Sequence, residues 1–205
     1  MDEERGRDTR RLALATGIVA AGSAACLATY FAVQGPFGTI NDVGNAAAGI
    51  LSGCLAWRLR REGSGPTDAL VGAALAGAAL TVVGSALVVS GTTGFFLAGL
   101  VSSVGYAGIG AWLVALSRSS TAATWSPRLR MLGLAAGALM ALGVVMIPGI
   151  LQRLDDMATA PAWVWIGFLG WLGTFVAYPA WAIWLGVART RTAGTAVSAA
   201  GGVRA

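Results

Sequence analysis

Three polar side chains lie close together near the start of an apolar stretch, at positions 41, 42 and 45. On a helix, Asn41 and Asn45 would share one face, and Asp42 would lie about 100° around the axis. A carboxylate beside two amides offers oxygen acceptors and N–H donors to a small solute or ion. These three residues are therefore the candidate polar pocket of the chain.

The same segment also has an interpretation that needs no ligand. Gly35-Pro36 and Phe37-Gly38 are typical of a turn. Thr39, with Asp42 three residues later, resembles a capping box in which Asp replaces Glu. Thr39 would then be the helix cap, Asp42 would favour the positive helix N-terminus, and the two Asn side chains would bond to a neighbouring helix. Both interpretations stay open, and the sequence favours the structural one.

The chain lacks the residues that catalytic and metal sites commonly need. The 205 residues include no His, the commonest proton shuttle and metal ligand. The two cysteines, Cys26 and Cys54, fall in different apolar runs at different expected depths, which argues against a disulfide. No nucleophile has a base nearby, and no two acids form a pair within an apolar run. We predict no catalytic residue, no metal site and no cofactor, and we predict that the protein is not an enzyme.

The composition indicates where such a chain can fold. Hydrophobic residues make up 56% of it, charged residues only 11%, and the mean hydropathy is +0.72. Soluble domains carry about 25% charged residues. The composition argues against a soluble enzyme, a disordered chain and a nucleic-acid-binding protein, and it favours a polytopic membrane protein. The net charge of +5 comes from arginines at the ends of apolar runs, so we interpret it as evidence of membrane topology before nucleic-acid binding.

Six apolar runs approach the roughly 20 residues that a membrane helix needs. We therefore predict an all-α polytopic membrane bundle of six transmembrane helices within residues 12–187. A cytoplasmic N-terminal tail, 1–11, precedes it, and a cytoplasmic, disordered tail, 188–205, follows. The predicted spans are residues 12–33, 39–59, 69–90, 95–116, 131–151 and 162–187.

The arginines support this count and give an orientation. In a six-helix threading, thirteen of the fourteen Arg fall on one side, and Arg153 is the exception. The positive-inside rule makes that side cytoplasmic, with both termini inside a multi-pass protein of the cell membrane. A five- or seven-helix count would destroy this alternation of arginine-rich and arginine-poor connections.

Small residues and tryptophans suggest how the helices pack. The pairs Gly49 and Gly53, and Gly133 and Gly137, have the spacing that lets helix backbones approach closely, and we favour packing within one chain over a homo-oligomer. Pro148 and Pro179 predict kinks in the fifth and sixth helices. Trp57, Trp112, Trp181 and Trp184 fall near inner helix ends, where we expect tryptophans to anchor the bundle at the interface and to pack within it.

Hydroxyl groups are scattered through the six runs. They could line a pore, but side chains of this kind more often bond back to a carbonyl of their own helix. They are Thr16, Ser23, Thr29, Ser52, Thr81, Ser85, Ser102, Ser103, Tyr106, Thr174 and Tyr178.

Two stretches resemble a group of small six-span actinobacterial membrane proteins to which no activity is assigned. They are Gly-Pro-Phe-Gly-Thr-Ile-Asn-Asp at residues 35–42 and Tyr-Pro-Ala-Trp-Ala-Ile-Trp-Leu-Gly at residues 178–186. The resemblance implies a six-span layout over nearly the whole chain. It implies no mechanism, although it makes Asn41 and Asp42 better candidates.

Three classes of function follow. We favour an accessory, regulatory or structural membrane protein that acts through helix–helix or lipid contacts, whose partners are the bilayer, a second copy or another membrane protein, and not nucleic acid. The alternative is a carrier or channel for a small solute or ion, with an outward-facing pocket at Asn41, Asp42 and Asn45. The lack of a mid-membrane charge and of a visible broken helix pair argues against transport. An intramembrane enzyme is the least favoured class.

Overall fold

The computed structural model describes residues 2–61 and 66–188, and this part of the chain is helical, without strands. The predicted all-α fold is confirmed, while the predicted tail at 188–205 lies almost entirely outside the described residues. The long helices are α1 (Asp2–Val33), α2 (Phe37–Arg61), α3 (Asp68–Val89), α4 (Phe95–Arg118), α5 (Pro127–Leu151) and α6 (Val164–Ala188). Short 3-10 helices cover Thr121–Thr124 and Met157–Thr159 in the connections.

The six helices form a bundle in which each packs against its neighbours in the chain. Short connections make successive helices antiparallel. The last helix returns to the first, because the Gly17 backbone of α1 lies directly against Ile183 and the Pro179 carbonyl of α6. The most enclosed helix of the described part is α4.

Helix α2 begins earlier than the sequence predicts. Gln34 and Gly35 both have positive φ, 61° and 79°, and turn the chain sharply after α1. The Pro36 carbonyl then accepts the Ile40 N–H at 3.1 Å, so helical bonding is already established there. Thr39 lies inside the first turn of α2 with its side chain exposed, and its prediction as the helix cap is wrong. Helix α1 also starts early, at Asp2, so residues 2–11 continue the first helix.

Other helix ends use polar caps. Ser126 Oγ accepts the Leu129 N–H at 3.3 Å, and Pro127 occupies the first position of α5. At the start of α4, the backbone N–H groups of Gly94 and Leu97 donate to the Asp155 carboxylate at 2.6 and 3.0 Å. This carboxylate satisfies N–H groups that have no partner within α4, and it ties the α5–α6 connection to that helix.

Both proline-containing helices change type just before their proline. In α5 a 3-10 stretch, Leu142–Met146, precedes Pro148, and in α6 a π turn, Gly173–Ala177, precedes Pro179. A proline removes one N–H and its ring clashes with the carbonyl four residues earlier, so the preceding turn must change its bonding. Gly173 places this irregular part of α6 directly against Leu139 and Met140 of α5.

Charged residues gather at one end of the bundle, here called the arginine end, where α1, α3 and α5 begin and α2, α4 and α6 end. Arg58 pairs with Asp8 at 2.7 Å, and Arg60 pairs with Asp68. Among residues 2–61 and 66–188, Arg153 is the one arginine at the opposite end.

Five of the helices are long and apolar enough to cross a membrane. Helix α2 is not among them, because Asn41, Asp42 and Asn45 near its start and three arginines at its end lower its mean hydropathy. The composition of the helices therefore supports a multi-pass membrane protein without deciding between five and six spans.

Large aromatic side chains fill the interior near the arginine end. We call Trp112, Trp125, Tyr178 and Trp181 the aromatic core. The Trp181 ring stacks on Tyr178 at a centroid distance of 5.8 Å and meets Trp112 edge-on at 6.4 Å. Trp112 and Trp181 are completely buried, so of the two expected roles they serve packing and are not anchors at the interface. They contribute apolar area to the core instead.

Candidate functional site

The predicted pocket residues lie in the first three turns of α2, and all three are at least nine-tenths buried. Helix α1 supplies a partner, because Ser23 Oγ lies 2.9 Å from the Asn41 carbonyl, 3.0 Å from Asn41 Oδ1 and 3.2 Å from Asn45 Oδ1. Gly44 makes this approach possible, since a Cβ there would lie 2.9 Å from Ser23 Cβ. The hydroxyl of α1 is therefore held against both amides of α2.

The amides also connect α2 to α4. Asn45 Nδ2 donates to Asn41 Oδ1 at 3.4 Å, and the Tyr106 hydroxyl of α4 lies 3.4 Å from both the carbonyl and Oδ1 of Asn45. We call Ser23, Asn41, Asn45 and Tyr106 the amide network. Its members satisfy one another and join three helices.

Asp42 is less well satisfied than its neighbours. Its carboxylate accepts one hydrogen bond, from Asn41 Nδ2 at 3.4 Å. The ion pairs within the described residues are at Arg58 and Arg60, so Asp42 has no cation there. A buried carboxylate without a cation is unfavourable, because the loss of hydration is not offset by an opposite charge.

Asp42 lines a cavity of about 40 Å³ enclosed by α1, α2, α3, α4 and α6. This volume holds a few water-sized groups, since one water needs roughly 10–15 Å³ measured in this way. The cavity lies in the half of the bundle away from the arginine end, because Val88, near the end of α3, and Phe95, the first residue of α4, both line it. Its other polar and aromatic wall residues are Asn41, Asn45, Ser85, Ser102, Ser103, Tyr106, Trp171, Thr174 and Phe175.

Several hydroxyls in the cavity wall have no partner within the described part of the chain. Ser85 Oγ is buried and makes no hydrogen bond, and neither Ser102 nor Thr174 forms one. These side chains depart from the expected bonding to their own helix, which Thr16, Ser52 and Thr81 follow. The departure leaves hydroxyl oxygens in the wall that Asp42 shares without a hydrogen bond.

Trp171 and Ser103 form one side of the cavity and are joined by a hydrogen bond. Trp171 Nε1 donates to Ser103 Oγ at 3.3 Å, and Ser103 Oγ donates to the Gly99 carbonyl at 2.8 Å. Beyond this pair lies a crevice between α4, α5 and α6 with no room for water, lined partly by Gly143 and Gly170. Trp171 and Ser103 therefore separate the cavity from tightly packed glycine contacts.

The predicted packing glycines all lie against helices of the same chain. Gly49 and Gly53 of α2 face Thr81 and Ala78 of α3. On α5, Gly137 contacts the Gly110 carbonyl of α4, and Gly133 lies beside Ser117 Oγ and Trp181 Nε1.

The sequence singles out one wall of the cavity and names part of the others less specifically. Asn41, Asp42 and Asn45 stand out because they are polar residues in an apolar run. Ser85 and Thr174 are two of the many hydroxyls that could line a pore, and Trp171 is not among the candidate pocket residues. No group of three or more metal-binding side chains occurs within residues 2–61 and 66–188.

No protein-family model, no curated protein and no solved structure matches this chain.

Proposed function

We propose that this chain is a six-span membrane protein that binds a small polar solute or ion in the cavity beside Asp42 and carries it across the bilayer. The observation that carries the proposal is a buried carboxylate, without a cationic partner, on the wall of a water-sized cavity. Ionisable groups buried among apolar helices are expensive to maintain and commonly serve binding or transport. The helix-cap explanation of Asp42 has lost its support, because α2 begins at Phe37.

The surface of α2 supports its inclusion as a sixth span. Its 25 residues extend about 37 Å, enough for a hydrocarbon core of roughly 30 Å. Asn41, Asp42 and Asn45 are buried inside the bundle, whereas Ile40, Val43 and Ile50 are about half exposed on its outside. Apolar residues therefore face the lipid although the mean hydropathy of the helix is low.

The arginines support an orientation in which the first helix begins, and the last helix ends, on the cytoplasmic side of the membrane. The arginine end would face the cytoplasm by the positive-inside rule, and the cavity would lie in the outer half. A location in the cell membrane and membership of the six-span actinobacterial group belong to the same proposal.

Irregular helices beside the cavity support movement. Thr174 and Phe175 line the cavity and lie in the π turn of α6, which packs against α5 close to its 3-10 stretch. Non-α turns of this kind are frequent at functional sites, and transporters place irregular helices around buried cavities. The earlier argument against transport, that no broken helix pair is visible, loses force.

The test is solute flux into proteoliposomes. We expect at least one of three labelled solute types, an organic cation, an alkali ion or a neutral polar molecule, to cross faster than in protein-free vesicles. Asp42→Asn should abolish this flux. Asp156→Asn, which changes an exposed carboxylate at the same end of the bundle, should retain it. The absence of flux for all three types, or equal flux in Asp42→Asn, would refute the proposal.

An accessory or structural role is the second candidate, and the amide network favours it. Ser23, Asn41, Asn45 and Tyr106 join three helices without any ligand. Such a protein would act through contacts with lipid, a second copy or another membrane protein. It would show no flux, and Asp42→Asn would change only its stability.

A further inference from the structure

Resting on the proposed function, we infer that the solute is a small ammonium cation, of the size of ammonium or methylammonium. Asp42 would compensate its charge, and the hydroxyls of Ser85 and Thr174 would accept its N–H groups.

The charge of the cavity favours a cation. Among the described residues that line it, Asp42 carries the one formal charge. A bound anion would be repelled, and a neutral molecule would leave the carboxylate without compensation. A single positive charge balances the site.

The free hydrogen-bonding groups favour a ligand that donates. Asp42 accepts one long hydrogen bond and has further lone pairs, and the oxygens of Ser85, Ser102 and Thr174 have no partner in the described part of the chain. The indole N–H of Trp171 is already donated to Ser103. Each of these hydroxyls has one O–H donor and two lone pairs, and the carboxylate only accepts, so acceptor positions in the wall outnumber its free donors. This excess suits a cation with N–H groups in several directions.

The aromatic side chains favour an organic cation over an alkali ion. Phe95, Trp171 and Phe175 line the cavity, and aromatic faces attract ammonium groups. An alkali ion needs oxygen ligands on all sides in place of its water, and the rings occupy part of the wall where such oxygens would have to lie. The cavity of about 40 Å³ holds roughly three water-sized groups, which is enough for the two heavy atoms of methylammonium and too little for the five of tetramethylammonium.

The test is equilibrium dialysis of radiolabelled methylammonium at neutral pH against the purified protein in nanodiscs. We expect saturable binding that ammonium displaces, while tetramethylammonium, sodium and methanol do not. Asp42→Asn should weaken the affinity at least tenfold, Ser85→Ala about two- to fivefold, and Asp156→Asn should leave it unchanged. Size-exclusion elution and helical content establish that each variant is folded, and Ser85→Ala tests the site even if Asp42→Asn does not fold.

The alternative outcomes separate this inference from the proposed function. If sodium displaces methylammonium as well as ammonium does, the site is a general cation site and the ammonium assignment is wrong. If a neutral solute shows Asp42-dependent flux while methylammonium does not bind, the inference fails and the proposed function stands. If no solute crosses and none binds, both fail.

Discussion

The two halves of the bundle differ in whether their interior is packed or contains a polar cavity. Near the arginine end, the aromatic core of Trp112, Trp125, Tyr178 and Trp181 occupies the interior. In the other half, an apolar cluster of Phe96, Leu100, Met146 and Val164 lies beside amides, hydroxyls and the Asp42 carboxylate, which surround a cavity. Helices α4 and α6 contribute to both halves, so the same two helices build a packed barrier and an open site.

Tyr178 connects the aromatic core to α2, whose first turns line the cavity. The Tyr178 hydroxyl lies 2.7 Å from Ser52 Oγ of α2, and Ser52 Oγ donates to the Ala48 carbonyl of its own helix at 2.6 Å. Tyr178 also stacks on Trp181, so one residue belongs to the aromatic core and holds α2 in place. A carrier of this design must move the aromatic core to release a solute at the arginine end.

The largest effect is expected from removing a ring of the aromatic core. Trp181→Ala leaves a cavity where the side chain is completely buried, and it should lower the free energy of unfolding by about 3–5 kcal/mol. Trp184→Ala, three residues away on the same helix but substantially exposed, should lower it by less than about 1 kcal/mol. Unfolding of both variants in mixed micelles measures the difference. Equal losses would mean that the aromatic core does not hold this half together.

A smaller loss is expected in the polar half. Ser23→Ala removes the hydroxyl that joins α1 to both amides of α2, and it should lower the free energy of unfolding by about 1–2 kcal/mol. The control is Thr29→Ala, because that exposed hydroxyl bonds only to its own helix. A loss no larger than that of the control would show that the amide network contributes little to stability.

Asp42→Asn should act in the opposite direction. Removing a buried, uncompensated charge should raise the free energy of unfolding by about 1 kcal/mol. Substitutions that remove a functional group commonly stabilise a protein in this way. Asp156→Asn should be neutral, since an Asn oxygen still accepts the Ala158 N–H. Thermal unfolding in a buffer without ammonium ions measures both. A destabilised Asp42→Asn would mean that the carboxylate is satisfied in the folded protein.

The smallest effect is expected at the surface of the arginine end. Arg58→Ala removes an ion pair with Asp8 in which both side chains are well exposed, and it should cost about 0.2–1 kcal/mol. High salt should reduce this difference, which comparison of unfolding at two ionic strengths measures. A loss above about 2 kcal/mol would show that the arginine end contributes more to stability than its exposure indicates.

The positions of the helices could be predicted because apolar runs and arginine clusters are local signals. The start of α2 was missed because it depends on two left-handed residues, Gln34 and Gly35, whose conformations follow from the turn as a whole. Thr39 and Asp42 match a capping motif, but the chain turns before them.

The inner surface of the bundle could not be predicted, since helices that are apolar all round carry little information about which side faces inward. Trp112 and Trp184 look alike in sequence, yet one is completely buried and the other is substantially exposed. Asp42 stood out in the sequence, whereas Ser85, Trp171 and Thr174 reach the cavity only through contacts between distant helices.

The shallow position of Asp42 has an electrical consequence. It lies five residues into the 25 of α2, about one-fifth of the way along the helix. A full elementary charge crossing the membrane potential exchanges about 2.3 kcal/mol per 100 mV, so a monovalent cation reaching Asp42 from outside would gain about 0.5 kcal/mol. Affinity would change only about twofold per 100 mV. About four-fifths of the voltage dependence of the proposed transport would therefore belong to the later passage across the aromatic core.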